Sequence, residues 1–184
     1  LGDAATQLLG QAIRGYGYER KIDIQLFEGD YDQIDLQVND PNSEFYQYNS
    51  DYVFIHKTSH KLRAKFGKTA LEKKGDFAKH CVFQLKHYIE SINARSTSRI
   101  IISNFPEIGD RVFGNYGNKV KESWTYQLRK LNFELMELAQ EYDNVFINDV
   151  ASLQHLKGQT FAHDTKTYIN ASMPESLDFV PILA

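Results

Sequence analysis

A single cysteine, Cys81, stands in the 184 residues, so no internal disulfide is available and a reducing compartment is expected. No apolar run approaches the roughly 20 residues that a bilayer-spanning helix needs, and no signal-peptide pattern is present. Positive charge is not in excess either. The 21 Lys and Arg against 24 Asp and Glu leave a net charge of -3, which gives no broad attraction for nucleic acid or an anionic membrane. Neither is expected as a partner, and the cytoplasm is the expected location. The triplet Asn170-Ala171-Ser172 fits a glycosylation sequon that a cytosolic chain leaves bare. There is no internal repeat and no low-complexity stretch. One further absence is local. The chain opens Leu1-Gly2-Asp3-Ala4, and position 4 carries no hydroxyl.

What remains is an ordinary globular composition, 42% hydrophobic and 24% charged, in a length suited to one domain spanning residues 1–184. An apolar residue leading into Gly2-Asp3 and then into a helical pattern reads as the end of a buried strand turning into a helix. Leu1 has no initiator methionine before it, so the first strand is expected to be truncated and the chain to be the N-terminal part of a longer protein. Leu8, Leu9, Ala12, Ile13 and Tyr16 share one helical face, with Gly15 and Gly17 marking its end. Ile22-Asp23-Ile24-Gln25-Leu26 alternates as a strand does. Short helices are expected over 31–38 and 43–48, and a buried strand at Tyr52-Val53-Phe54-Ile55.

A basic stretch, 57–74, precedes a helix over 76–93, in which Phe77, Cys81, Leu85, Tyr88 and Ile92 recur at helical spacing. Arg99-Ile100-Ile101-Ile102 is the next strand, and residues 107–118 form a Gly-rich, aromatic loop. Trp124, Leu128, Leu131, Leu135 and Leu138 mark a second long helix, Asn144-Val145-Phe146-Ile147 a last strand, and 174–184 a closing helix. Strands alternating with helices predict a three-layer α/β/α sandwich with a five-stranded parallel sheet in the flavodoxin-like order 2-1-3-4-5.

With the strand ends placed, Gly2-Asp3, Asn104 and the late His163 resemble the blocks of SGNH (GDSL-type) hydrolases. A second likeness runs along nearly the whole chain. Phe27-Glu28-Gly29-Asp30-Tyr31-Asp32-Gln33, Asn39-Asp40-Pro41-Asn42-Ser43, Asp51-Tyr52-Val53-Phe54 and the run from Asn144 to Leu153 are similar to the N-terminal region of FkbH-like proteins. The resemblance implies an SGNH-like domain followed by a HAD-superfamily (type IIIC) phosphatase-like domain, in proteins tied to polyketide or surface-polysaccharide biosynthesis. It also implies glyceryl transfer onto a carrier protein in some members. Partners implied are the downstream HAD-like domain and an acyl carrier protein or small phosphorylated substrate. Mg²⁺ is implied for that downstream domain, with no cofactor or metal in this one.

The departures from the pattern are specific. Ala4 takes the place of the nucleophilic serine, and Thr160 stands where the triad Asp precedes His163, so the usual acyl-enzyme route is closed. The Asp-x-Asp signature of HAD enzymes has no complete counterpart; Asp30-Tyr31-Asp32 is the nearest pair. The expected domain is therefore an accessory one, without esterase activity, binding substrate or carrier or supporting the downstream domain. Its vestigial positions are Ala4, Asn104 and His163, and its candidate ligand contacts Gly2, Asp3, Asn104 and His163. One alternative is an active esterase or acyltransferase with a displaced nucleophile, for which Thr6 and Ser103 are the nearby hydroxyls. Another is a purely structural interaction module.

Each candidate has a plainer reading beside it. Asp3 fits an N-cap of the helix that follows, Asn104 a loop turn before Phe105-Pro106, and His163-Asp164 an ordinary surface pair. His56 and His60 have the spacing of a helical metal pair but no third ligand. Lys57, Lys61, Arg63, Lys65, Lys68, Lys73 and Lys74 read as a solvated face, and Trp124 as core.

Overall fold

The structure is a computed structural model that describes residues 1–109 and 112–184. Positions 110 and 111 of the expected 107–118 loop lie outside the described residues. In chain order the elements are α1 (Gln7–Glu19), α2 (Ile34–Asn39), α3 (Glu44–Tyr48), β1 (Tyr52–Ile55), α4 (Ser59–Lys68), α5 (Leu71–Lys74), α6 (Phe77–Asn93) and β2 (Arg99–Ser103). A 3₁₀ turn at Gly114–Asn118 then leads to α7 (Trp124–Gln140), β3 (Val145–Asn148), α8 (Val150–Lys157), α9 (Gln159–Ala162), α10 (Thr165–Ala171) and α11 (Val180–Leu183).

The three strands pair in parallel in the order β1-β2-β3, with Ile55 opposite Ile102 and Ile102 opposite Ile147. Successive side chains of a strand point to opposite faces. Val53, Ile55, Ile100 and Ile102 therefore join the larger core beneath α6 and α7, whereas Phe54 packs into a second cluster with Leu9, Val150, Phe179 and Val180. Helices thus cover both faces of the parallel sheet in a mixed α/β domain. The helical stripes fall as the spacing predicts: α6 buries Phe77, Cys81, Leu85, Tyr88 and Ile92, and α7 buries Trp124, Leu128, Leu131, Leu135 and Leu138. Trp124 is core, its indole N–H donating to the Ile108 carbonyl at 2.7 Å.

The five-strand expectation is corrected to three among the described residues. In place of a truncated first strand, Gly2 makes one isolated parallel bridge to His56. The 22–27 segment is no strand at all. The Ile22 amide donates to the Gly17 carbonyl at 2.8 Å, turning the chain back along α1, where Ile24 lies over Gly17 and Leu26 over Gly10. A Cβ on Gly17 would sit 2.6 Å from an Ile24 methyl. Alternation here reflects packing on a helix surface, so α1 runs through Gly15 and Gly17 instead of ending there. The closing helix is also shorter than expected. Residues 173–176 are extended because the Pro174 carbonyl accepts from Asp164 and the Ser176 amide donates to Ala162, leaving only Val180–Leu183 helical.

Candidate functional site

The carboxyl ends of parallel strands are where α/β domains gather ligands, and here that rim carries an unusual concentration of buried polar groups. The backbone of His56, immediately after β1, holds the N-terminal stretch: its amide donates to the Leu1 carbonyl at 2.9 Å and its carbonyl accepts from the Asp3 amide at 3.1 Å. Its imidazole lies between two further segments. Nδ1 is 3.0 Å from the Oγ of Ser103, the last residue of β2, and Nε2 is 3.3 Å from the Oε1 of Glu175 in the C-terminal segment. All three side chains are sealed from solvent, with Ser103 at 0%, His56 at 5% and Glu175 at 6% exposure.

Burial alone would raise the Glu175 carboxyl, but the His56 contact and the nearby His163 outweigh it and hold it below the usual range. Two more imidazoles flank it. The His60 ring, on α4, stands edge-on to that of His163 at a centroid distance of 5.0 Å. Burial, reinforced by His163 and opposed by Glu175, pushes His60 down to about 4. His163 is lowered by the same burial, and its Nε2 accepts from the Gln154 carboxamide at 2.8 Å.

Lys57 is the next residue after His56 and belongs to a different polar group. Its ammonium reaches the Gln84 oxygen at 3.3 Å and the Tyr88 ring face, and burial pushes its pKa down against the pull of Asp3 and Asp35. Tyr88 donates to Asp35 at 2.7 Å.

The sequence-predicted residues fall around this rim with definite partners. Gly2 forms the bridge to His56, and a Cβ there would meet the Thr6 methyl at 2.5 Å. Asp3 is buried, but it does not cap α1, whose N-cap Thr6 has no side-chain cap bond. Its Oδ1 instead accepts the Thr58 amide at 2.9 Å, just ahead of α4, and burial raises its pKa despite that bond. Ala4 is 4% exposed and presents only a methyl group. Asn104 uses both ends of its carboxamide at the start of α8: Nδ2 donates to Asp149 at 2.6 Å and Oδ1 accepts the Ala151 amide at 2.9 Å.

Of the two hydroxyls considered as displaced nucleophiles, Thr6 donates to the Glu28 carboxylate at 2.5 Å and has no imidazole, whereas Ser103 has His56. Ser103, His56 and Glu175 thus show the order of nucleophile, base and orienting acid, although Ser103 has no exposed surface and the Asn104 amide is committed elsewhere. Sequence reasoning reached Ser103 through its place at a strand end. Glu175 had no motif around it, and only the fold brings it to His56.

His56 and His60 do not form a helical pair, since His56 follows β1 and only His60 lies in α4. Among the described residues no three His, Cys, Asp or Glu side chains converge as a metal site. Asp32 of the Asp30-Tyr31-Asp32 pair is bound by Lys61 at 2.7 Å. Most of the basic stretch is surface: Arg63, Lys65, Lys68 and Lys73 are exposed on α4 and α5. No helix among the described residues is long and apolar enough to cross a membrane.

Against known proteins, the model of the FkbH N-terminal domain matches residues 1–184. No curated protein matches significantly. A crystal structure of the N-terminal part of a Bacteroides fragilis protein, described as containing a phosphatase domain and complexed with Mg, superposes with a TM-score of 0.93 at 38% identity. The match covers 99% of this chain and 47% of that one, so the chain spans about half the length of its neighbour. With the family model matched from end to end, the chain belongs to the FkbH N-terminal domain family.

Proposed function

We propose that this is an SGNH-like accessory domain without esterase activity of its own. It binds a substrate or carrier, or supports a phosphatase-type HAD domain downstream that performs Mg²⁺-dependent phosphate or glyceryl-transfer chemistry in polyketide or polysaccharide biosynthesis. The observation that carries this reading is Ala4. The position that would present the nucleophile at the strand end holds a methyl group at 4% exposure, and an acyl transfer there has no oxygen to begin with. The neighbour's phosphatase domain supports the role assigned to the downstream part.

Turnover of an aryl ester and an aryl phosphate, measured for this chain and for the longer protein, tests the reading. Phosphate turnover by the longer protein alone is the expected outcome. Ester turnover by these 184 residues would refute it.

The Ser103–His56 hydrogen bond favours a second reading, an esterase or acyltransferase with a displaced nucleophile. Under that reading ester hydrolysis by the chain is abolished by Ser103→Ala.

A further inference from the structure

The segment carrying Glu175 covers the strand-end rim. The Ser172 carbonyl accepts the Ala5 amide at 3.3 Å, Met173 is buried at 4% exposure, and Ala4 lies sealed in the neighbouring N-terminal stretch. Few polar contacts secure this segment to the sheet. Glu175 meets His56, whose other nitrogen is bonded to Ser103, so one imidazole ties the ends of β1 and β2 to the C-terminal segment. The backbone bonds of 172–176 run to Asp164, Ala162 and Tyr168, to Phe179 and Val180 at the start of α11, and to Ala5. The segment is therefore continuous with α9, α10 and α11, and within 172–176 the side-chain contact to the strand ends is that of Glu175 with His56.

We infer that the Glu175–His56 pair is a latch that closes the 172–176 segment over Gly2, Asp3, Ala4 and Ser103, and that the rim is reached by ligands only when this pair parts. A buried pair suits that task. Removing one member leaves the other charge or polar ring desolvated and unpaired, a strong bias toward the open arrangement, whereas the apolar contacts of Met173 and Phe179 with the second cluster favour closing again. The groups facing Glu175 are His56 after β1, His163 between α9 and α10, and His60 on α4, with Arg63 on α4 acting on His60. This inference rests on the accessory-binding reading only for the identity of what enters, since opening itself is measurable without a ligand.

The test uses thiol accessibility. Ala4→Cys places a thiol at the covered position and leaves Ser103, His56 and Glu175 untouched. Cys81, buried in the main core, reports opening of the fold as a whole. Maleimide labelling of both thiols is followed by mass spectrometry, with and without Glu175→Gln. The latch predicts slow labelling of the introduced thiol in the single variant and at least a tenfold faster rate with Glu175→Gln, while Cys81 labels at an unchanged rate. Equal acceleration of both thiols would mean that Glu175 merely stabilises the whole domain, and the inference fails. It also fails if neither rate changes, or if the introduced thiol labels fast with Glu175 intact.

Should Ala4→Cys not fold, hydrogen exchange gives the same reading in the otherwise unaltered chain. Glu175→Gln is expected to speed exchange of the Ala5 amide at least tenfold and to leave the Ile100 and Ile102 amides of β2 unchanged. Unaltered Ala5 exchange, or equal acceleration of the β2 amides, overturns the latch.

Discussion

The carboxamide oxygen of Gln127, on α7, accepts the backbone N–H of Ala78, in the first turn of α6, at 2.8 Å. The same side chain donates to the carbonyls of Gly75 at 2.9 Å and Lys121 at 2.7 Å, and it is fully buried. One residue thus supplies an amide acceptor that α6 does not obtain from its own N-cap, Asp76, which makes no side-chain cap bond. Gln127→Leu fills similar space but strands three backbone groups. We expect a loss of about 2–4 kcal/mol in chemical denaturation. A loss below about 0.5 kcal/mol would show that water or a shift of α6 replaces those bonds.

Gly17 is expected to be intolerant of any side chain. An added Cβ meets Ile24 at 2.6 Å and the Ile22 carbonyl at 2.9 Å, and the backbone contact cannot be relieved by a rotamer change. Gly17→Ala should cost about 1–3 kcal/mol. Gly15 has nothing within 4 Å of the same position, so Gly15→Ala should gain about 0.5–1 kcal/mol from helix propensity. The two melting shifts should therefore differ in sign.

Asn104→Ala should destabilise the domain by about 1–2 kcal/mol, because α8 loses an acceptor for the Ala151 amide and Asp149 loses a donor. Asp149 offers a direct readout. Burial tends to raise its carboxyl, but the bonds from Ser152 and Asn104 prevail and hold it below the usual range. Its NMR titration should move upward in the variant while any ester or phosphate turnover stays where it was.

Stability is expected to fall as pH drops from neutrality toward 4. Burial lowers His60 and His163 in the folded chain, so their contribution is complete above the unfolded value of about 6.5 and is lost as pH descends toward the folded one. Glu175, depressed in the folded state, adds a loss of the same sign below its unfolded value near 4.5. Asp3 works in the opposite direction, since burial raises its carboxyl. Melting temperature measured from pH 7.5 to 4.5 should therefore decline, and His60→Gln should flatten the part between pH 6.5 and 5. A curve as steep in that variant would assign the slope to other groups.

Much of this architecture was legible in the residues. Continuous apolar runs gave the three strands, and the stripes through Cys81 and Leu131 gave the two long helices, because burial on two sheet faces and on one helix face leaves different periods. Ile22 to Leu26 misled because Ile24 and Leu26 lean on α1 at every second position as a strand's side chains do, while Ile22 stays 57% exposed. Ser103 and Asn104 lie at the end of β2, where topology alone directs attention, whereas Asp3 and Ala4 follow only the isolated bridge of Gly2 to His56. Their contacts were not legible, since Asp3 meets Thr58, Asn104 meets Asp149 and Ser103 meets His56 through pairings between segments far apart in the sequence. Glu175 was invisible for a further reason. A lone carboxylate among Pro174 and Ser176 has the composition of a surface loop, and only the fold buries it against His56.

The second hydrophobic cluster draws Leu9 and Ala12 from α1 together with Phe179, Val180 and Leu183 from the far end of the chain. The sheet, by contrast, closes through successive strand–helix–strand units between Tyr52 and Asn148, and the main core adds the buried Ile34, Val38 and Phe45 from just ahead of β1. Joining the two ends requires the longest loop closure in the molecule, and its entropy is recovered only after the sheet exists to receive Phe54. Folding should consequently proceed in two stages, with the middle of the chain assembling first and the two ends meeting last. A refolding experiment would find the Ile100 and Ile102 amides protected before those of Val180 and Leu183.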